Sequence, residues 1–185
     1  ALGGFSKMRF GEDIDFSIRI FQGGYACRLF PEAWVWHKRR TDFRKFWRQV
    51  YNSGIARINL YKKYPESLKL VHLLPMVFTV GVIGTLLLLF FGFLPYLLGT
   101  EHIFPVLGNA MAALGCIGLF LILLYIVALV IDSTKQNQSL KIGILSIRAA
   151  FTQLMGYGCG FLSAWWKRCI LGKSEFSAYN KTFYK

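Results

Sequence analysis

The chain has 185 residues, a formal net charge of +13, and is 55% hydrophobic. That length suits one modest domain, or a small domain joined to a membrane anchor. The charge is too unevenly spread for a uniformly soluble globule: residues 1–69 carry 14 Lys and Arg with 6 Asp and Glu, residues 70–131 carry Glu101 alone of these types, and residues 132–185 carry 8 bases and 2 acids. A net positive charge suits nucleic acid. Here, however, the bases are divided around an apolar block, which is the positive-inside pattern of a membrane protein, and no nucleic-acid partner is expected. The four cysteines, Cys27, Cys116, Cys159 and Cys169, have neither metal-ligand nor redox spacing and read as unpaired thiols. The chain opens on Ala1 in a pattern typical of the middle of a domain, so a fragment is expected.

From the start, Gly11 precedes three carboxylates within four residues, Glu12, Asp13 and Asp15. Such a cluster is tolerable at a helix N-terminus, where the peptide dipoles favour negative charge. Ile14, Ile18 and Phe21 then recur at helical spacing, and Gly23-Gly24 ends the run, which predicts a helix from Glu12 to Gly23. Held at a turn, one of these carboxylates can serve as a general base toward a hydroxyl. Tyr25–Phe30 and Ala33–Trp36 read as short strands separated by Pro31. His37 follows with Lys38, Arg39 and Arg40, a group able to hold a diphosphate or a metal on it, or else a solvated basic flank.

Thr41 or Asp42 can cap the next helix, expected to reach about Tyr61. Phe43, Phe46, Trp47, Val50, Tyr51, Gly54, Ile55 and Ile58 form its apolar stripe, with Arg44, Lys45, Arg48 and Arg57 as the basic complement. This suits both an anionic membrane surface and an ordinary helix packed on its own domain. Residues 42–69 are accordingly read as an amphipathic interfacial helix and its exit. Arg48 and Gln49, with Gly54 and Arg57, lie on the same helix and are a weak signal taken alone.

Leu70 to Leu98 and Ile103 to Ile131 are each 29 residues without Asp, Glu, Lys or Arg. A spanning helix needs about 20 apolar residues, and in lipid the backbone must satisfy itself internally, as a helix does. Residues 70–131 therefore predict a transmembrane hairpin (70–98 and 103–131), linked by Gly99-Thr100-Glu101-His102. Basic flanks place residues 1–69 and the segment from Asp132 to Lys141 in the cytoplasm. Within 132–185, a linker leads to the apolar segment 142–166 and a basic tail. That segment contains Arg148 and precedes Lys167 and Arg168. It fits an interfacial or re-entrant helix with Trp165 and Trp166 at the headgroups, the alternative being a third span.

Taken in order, these pieces resemble the second half of a membrane-bound family-2 glycosyltransferase. The resemblance rests on Gly3-Gly4-Phe5, Gly11-Glu12-Asp13-Ile14-Asp15, Gly24-Tyr25, the Val35-Trp36-His37 ending, Arg48-Gln49 and the membrane helices after them. It implies an α/β remnant of a GT-A (nucleotide-diphospho-sugar transferase) domain in residues 1–41, then a helical membrane region, the chain as a whole mostly α. It also implies a nucleotide-diphospho-sugar donor, a glycan or lipid-linked acceptor, membrane lipids, a divalent metal (Mg2+ or Mn2+), and a bacterial inner-membrane enzyme of cell-envelope polysaccharide assembly. By the same likeness Asp13 is the general base, Glu12 positions it, His37 is a metal or diphosphate ligand, and Arg40, Arg48 and Gln49 hold acceptor or diphosphate. The Gln-x-x-Arg-Trp motif of the processive synthases is not matched, because Asn52 and Ser53 stand where Arg-Trp would. That favours transfer of single sugars. The donor-binding strands and the metal-binding Asp-x-Asp are expected before Gly3, so these residues alone should not turn over. A non-catalytic anchor whose basic face binds anionic lipid or a partner protein is the alternative, which the acidic turn disfavours. Few polar residues in either span count against a transporter.

Overall fold

The computed structural model describes residues 2–8, 10–37, 42–100, 102–103 and 105–174. Five α-helices account for most of them: α1 (Glu12–Gln22), α2 (Phe43–Lys63), α3 (Leu74–Leu97), α4 (Pro105–Asn137) and α5 (Leu140–Trp165). Short 3-10 turns at Pro65–Ser67 and Leu70–His72 connect α2 to α3, and a π-turn, Trp166–Ile170, follows α5. The chain divides into two compact units, Ala1–Leu74 with Gly156–Lys185, and Pro75–Met155. The four cysteines are free.

No strand forms among the described residues, and this overturns the expected α/β remnant of a GT-A domain. Tyr25–Phe30 and Ala33–Trp36 remain outside any ladder, with Leu29 87%, Val35 85% and Trp36 92% exposed. The residue types are those of strands, but a strand is stable only when its backbone groups are paired and one face is covered. Neither condition is met within the described chain. The expectation of a mostly α chain agrees with the observed elements.

In the first unit, α1 begins at Gly11, whose φ of 83° is the left-handed conformation that glycine adopts without strain. A Cβ there would sit 3.3 Å from both Ala56 and Leu60 of α2, so the position also sets how closely the two helices approach. Asp42 caps α2 by accepting a hydrogen bond from the Arg44 N–H at 2.7 Å. The α2 face containing Val50, Ile55, Ile58 and Leu60 is buried. Part of that cover comes from the last third of α5. The Tyr157 carbonyl rests where a Cβ of Gly54 would be, and the Tyr51 carbonyl where a Cβ of Gly160 would be. Two glycines thus bring two backbones into contact, as small residues do wherever helices pack closely. Phe161 and Ala164 complete the core, and Arg168 donates a hydrogen bond to the buried side chain of Asn59.

Leu70–Leu97, which enters the second unit at Pro75, and Pro105–Asn137 within it are long and apolar enough to cross a membrane, and only 17% and 6% of their most apolar stretches are buried. Gly92 meets Ala112, Gly115 meets Leu89 and Gly118 meets Thr85, the close approaches expected of helices packing in lipid. Phe78 stacks edge-on against Tyr125 at 5.6 Å and Phe151 at 5.4 Å. Thr79 is buried, and its hydroxyl donates to backbone carbonyls of Pro75 at 2.8 Å and Leu154 at 3.3 Å. α4 continues past Ile131 to Asn137, so the linker expected from Asp132 to Lys141 is mostly helix. The chain reverses at Gln138, whose φ of 49° is left-handed. Residues 142–166 lie almost wholly in α5.

Candidate functional site

The N-terminal turn of α1 and one side of α2 enclose a cavity of about 630 Å³. Phe10, Gly11, Glu12, Asp13 and Ile14 line it from α1 and the residue pair before it. From α2 come Gln49, Asn52, Ser53, Ala56 and Arg57, and Tyr157 closes it from α5. The α2 residues recur at i, i+3, i+4, i+7 and i+8, so they form one continuous strip along the helix. Glu12 and Asp13 stand exposed in the first turn, where unpaired N–H groups and the aligned peptide dipoles favour negative charge. The arrangement can present a carboxylate to a hydroxyl on a bound molecule, with amide, hydroxyl and guanidinium groups opposite to orient it.

Asp15 does something different from its two acidic neighbours. It is fully buried and acts as a hub. Ser6 donates to it at 2.7 Å, Arg19 Nε at 3.0 Å and the Tyr64 hydroxyl at 3.0 Å, and Lys63 forms a short ion pair with it. Burial pushes the Asp15 carboxyl up, but the hydrogen bonds from Lys63, Ser6, Tyr64 and Arg19 outweigh it and bring it down from 3.8 to about 2. Lys63 is raised in turn, chiefly by its hydrogen bond to Asp15. Arg19 also donates to the carbonyls of Leu2 and Gly4, both at 2.6 Å, and Phe5 packs on Phe16 with ring centres 4.9 Å apart. The Gly3-Gly4-Phe5 turn is thereby tied to α1, and the end of α2 to Asp15. This hub fixes the turn that carries Glu12 and Asp13.

Of the residues singled out by sequence, Glu12, Asp13 and Gln49 meet in the cavity. Arg48 is exposed on α2 and does not line it, and His37 is exposed in the unpaired segment and does not line it either. Arg40 lies outside the described residues. No group of three His, Cys, Asp or Glu able to hold a metal ion occurs among the described residues. The main ligands of the implied divalent metal are expected before Gly3, and among the described residues His37 is not part of such a group. Arg57, a weak signal in the sequence, lines the cavity together with Asn52, Ser53 and Tyr157, which sequence reasoning does not single out. Asn52, Ser53 and Arg57 carry a signal in their helical spacing from Gln49, whereas Tyr157, a hundred residues beyond Arg57, carries none.

No family model, no curated protein and no solved structure matches this chain. The candidate site therefore rests on its own geometry and on the motif order given above.

Proposed function

We propose that this chain belongs to a membrane glycosyltransferase that passes a sugar from a nucleotide-diphospho-sugar to a hydroxyl of a glycan or lipid-linked acceptor, with inversion. The observation that carries the reading is the meeting of Glu12, Asp13 and Gln49 in one cavity, although Gln49 is 36 residues beyond Asp13. Asp13 takes the proton of the acceptor hydroxyl as that oxygen attacks the anomeric carbon. The bond from that carbon to the diphosphate breaks, and a nucleoside diphosphate leaves. Glu12 holds the adjacent position in the turn, and Gln49 orients the acceptor from α2. A positioned general base contributes about 100- to 10,000-fold. Asp13→Asn in the full-length protein, in membranes, should therefore lower transfer by at least about 100-fold while leaving insertion unchanged. Transfer within a few-fold of normal would remove Asp13 as the base.

The proposed setting is a hairpin of α3 and α4 crossing the membrane, with the basic residues on either side of it in the cytoplasm. Single cysteines at positions 44 and 136 should react with an impermeant maleimide from the cytoplasmic side only. Labelling from opposite sides would break the hairpin.

A further inference from the structure

The walls of the cavity differ in what they offer a ligand. On the α1 side Glu12 and Asp13 are exposed carboxylates, and neither has an ion pair among the described residues. An ionised carboxylate only accepts hydrogen bonds. On the α2 side the Ser53 hydroxyl donates to the Gln49 carbonyl at 3.1 Å, which leaves its oxygen to accept from a ligand. Arg57 hydrogen-bonds the Tyr157 hydroxyl and its Nε is buried, so the two belong to the wall. Asn52 is different. Its side chain is half-buried, lines the cavity and has no hydrogen-bond partner among the described residues. A carboxamide brings two N–H donors and a carbonyl acceptor. Phe10, Ile14 and Ala56 add apolar cover.

Two carboxylates against one guanidinium make the lining negative on balance. An anionic ligand would meet like charge there, and would bring acceptors to a wall already rich in them. A ligand with several hydroxyl donors on an apolar body matches the wall, and a sugar ring has that chemistry. Resting on the glycosyltransferase reading, we infer that the acceptor presents an uncharged sugar ring to this cavity, and that Asn52 is the specificity-determining residue that selects it. One hydroxyl of the ring goes to Asp13 and is the nucleophile. A second hydroxyl of the same ring pairs with the Asn52 carboxamide. The spacing fits a single ring. Gly11, directly before the two carboxylates, abuts Ala56, and Asn52 is one turn from Ala56, about 6 Å along α2. A lipid alcohol has one hydroxyl and would leave Asn52 unpaired. A uronate or a sugar phosphate would set its anion against Glu12 and Asp13. Asn52 takes no part in the proton transfer; it decides which hydroxyl reaches the base.

The test uses the full-length protein in phosphatidylcholine nanodiscs, with binding followed by ligand-observed NMR. The probes are the methyl glycosides of glucose, galactose and mannose, the uronide of each, and cyclohexanol, a ring of the same size with a single hydroxyl. At least one neutral glycoside should bind about five-fold or more tightly than its uronide and than cyclohexanol. Asn52→Ala should lower that affinity by about five-fold or more. Monodeoxy forms of the preferred glycoside locate the contact. The one that lacks the hydroxyl read by Asn52 should bind the unaltered protein and Asn52→Ala equally, while the others still lose affinity on substitution. A loosened cavity would weaken all of them alike. The proposal is overturned by a uronide that binds as tightly as its neutral partner, by cyclohexanol binding as tightly as the glycosides, by no binding of any neutral glycoside, or by an equal loss for every deoxy form. The uronide and cyclohexanol comparisons involve the unaltered protein alone, so they decide even where Asn52→Ala does not fold. The two readings separate cleanly. Loss of transfer in Asp13→Asn together with glycoside binding indifferent to Asn52 removes the ring selection and spares the transferase. Normal transfer in Asp13→Asn together with Asn52-dependent binding does the reverse.

Discussion

In the unit formed by Ala1–Leu74 and Gly156–Lys185, one buried carboxylate gathers four donors from three parts of the chain, and two helices touch through their backbones. In Pro75–Met155 the packing contacts are of rings, small residues and aliphatic side chains; of its two buried threonines, Thr79 is met by backbone carbonyls, and the side-chain hydrogen bonds Tyr96–Asn109 and Gln136–Asp132 are exposed. The first unit depends on particular residues at particular places, and the second on composition. A polar hub in water must compete with solvent for every donor, so it works only if all partners arrive together. Apolar helices of spanning length satisfy their own backbones and tolerate exchange of one apolar side chain for another. The candidate site belongs to the first kind of structure, where position is fixed tightly enough to aim a carboxylate.

The sharpest way to break this comparison is to remove the hub. Asp15→Ala leaves Lys63 and Arg19 without their shared anion and Tyr64 without its acceptor. Stripping one partner from a buried ion pair costs about 3–5 kcal/mol. The lower end, about 3 kcal/mol, applies here, because Lys63 is 42% exposed and can turn to water, and Arg19 keeps two carbonyls. Hydrogen exchange should accelerate in α1 and at the end of α2 and stay unchanged in α3 and α4. Equal acceleration in both units would mean that they unfold as one.

What could be read in the sequence follows the range of the interactions involved. α1, the Asp42 cap, α2 and both apolar helices were legible because spacing, caps and composition act within a turn or two. The unpaired segment between Tyr25 and Trp36 was misread as two strands. Its residue types favour extended backbone, but what makes a strand is a neighbour, and residue type does not supply one. Asp15 was legible only as one of three clustered acids. Its i,i+4 pairing with Arg19 was a local hint, whereas Lys63 and Tyr64 lie 48 and 49 residues away. The Gln49–Arg57 strip was visible as helical spacing. That it faces Glu12 and Asp13 was not, because Gly11, Ala56 and Leu60 decide that by their close contact.

A somewhat smaller effect is expected where the backbones meet. A methyl group at residue 160 would overlap the Tyr51 carbonyl, and no side-chain rotation can relieve it. Gly160→Ala should then cost about 2 kcal/mol, within the usual range for overpacking. It should also widen the cavity by moving Tyr157 away from Gln49 and Arg57. In the other unit, a Cβ at Gly118 meets the Thr85 hydroxyl, a side-chain atom that can turn aside, so Gly118→Ala should cost less. Thermal unfolding of the two variants in the same detergent checks the ranking, and a larger loss for Gly118→Ala would reverse it.

The mildest perturbation is acid. The folded Asp15 carboxyl sits near 2, below its ordinary 3.8. A depressed carboxyl stabilises the folded state fully above the unfolded value and loses that contribution as pH falls through the folded one. From about pH 4 to pH 2, then, the first unit should lose on the order of 2 kcal/mol from this group. Lys63 works in the opposite sense. Its raised value makes its contribution complete below 10.5 and lost only as pH climbs beyond that. The hub is thus intact across the whole neutral range. Asp15→Asn should flatten the acid limb, since an amide does not titrate there; α3 carries no Asp or Glu to add a slope of its own, and α4 carries Asp132 alone. Hydrogen exchange followed from pH 6 to pH 3, corrected for its intrinsic pH dependence, should show protection falling in α1 and at the end of α2 but not in α3. An acid limb that persists in Asp15→Asn would assign it to groups other than Asp15, and would mean that the hub is not what acid undoes.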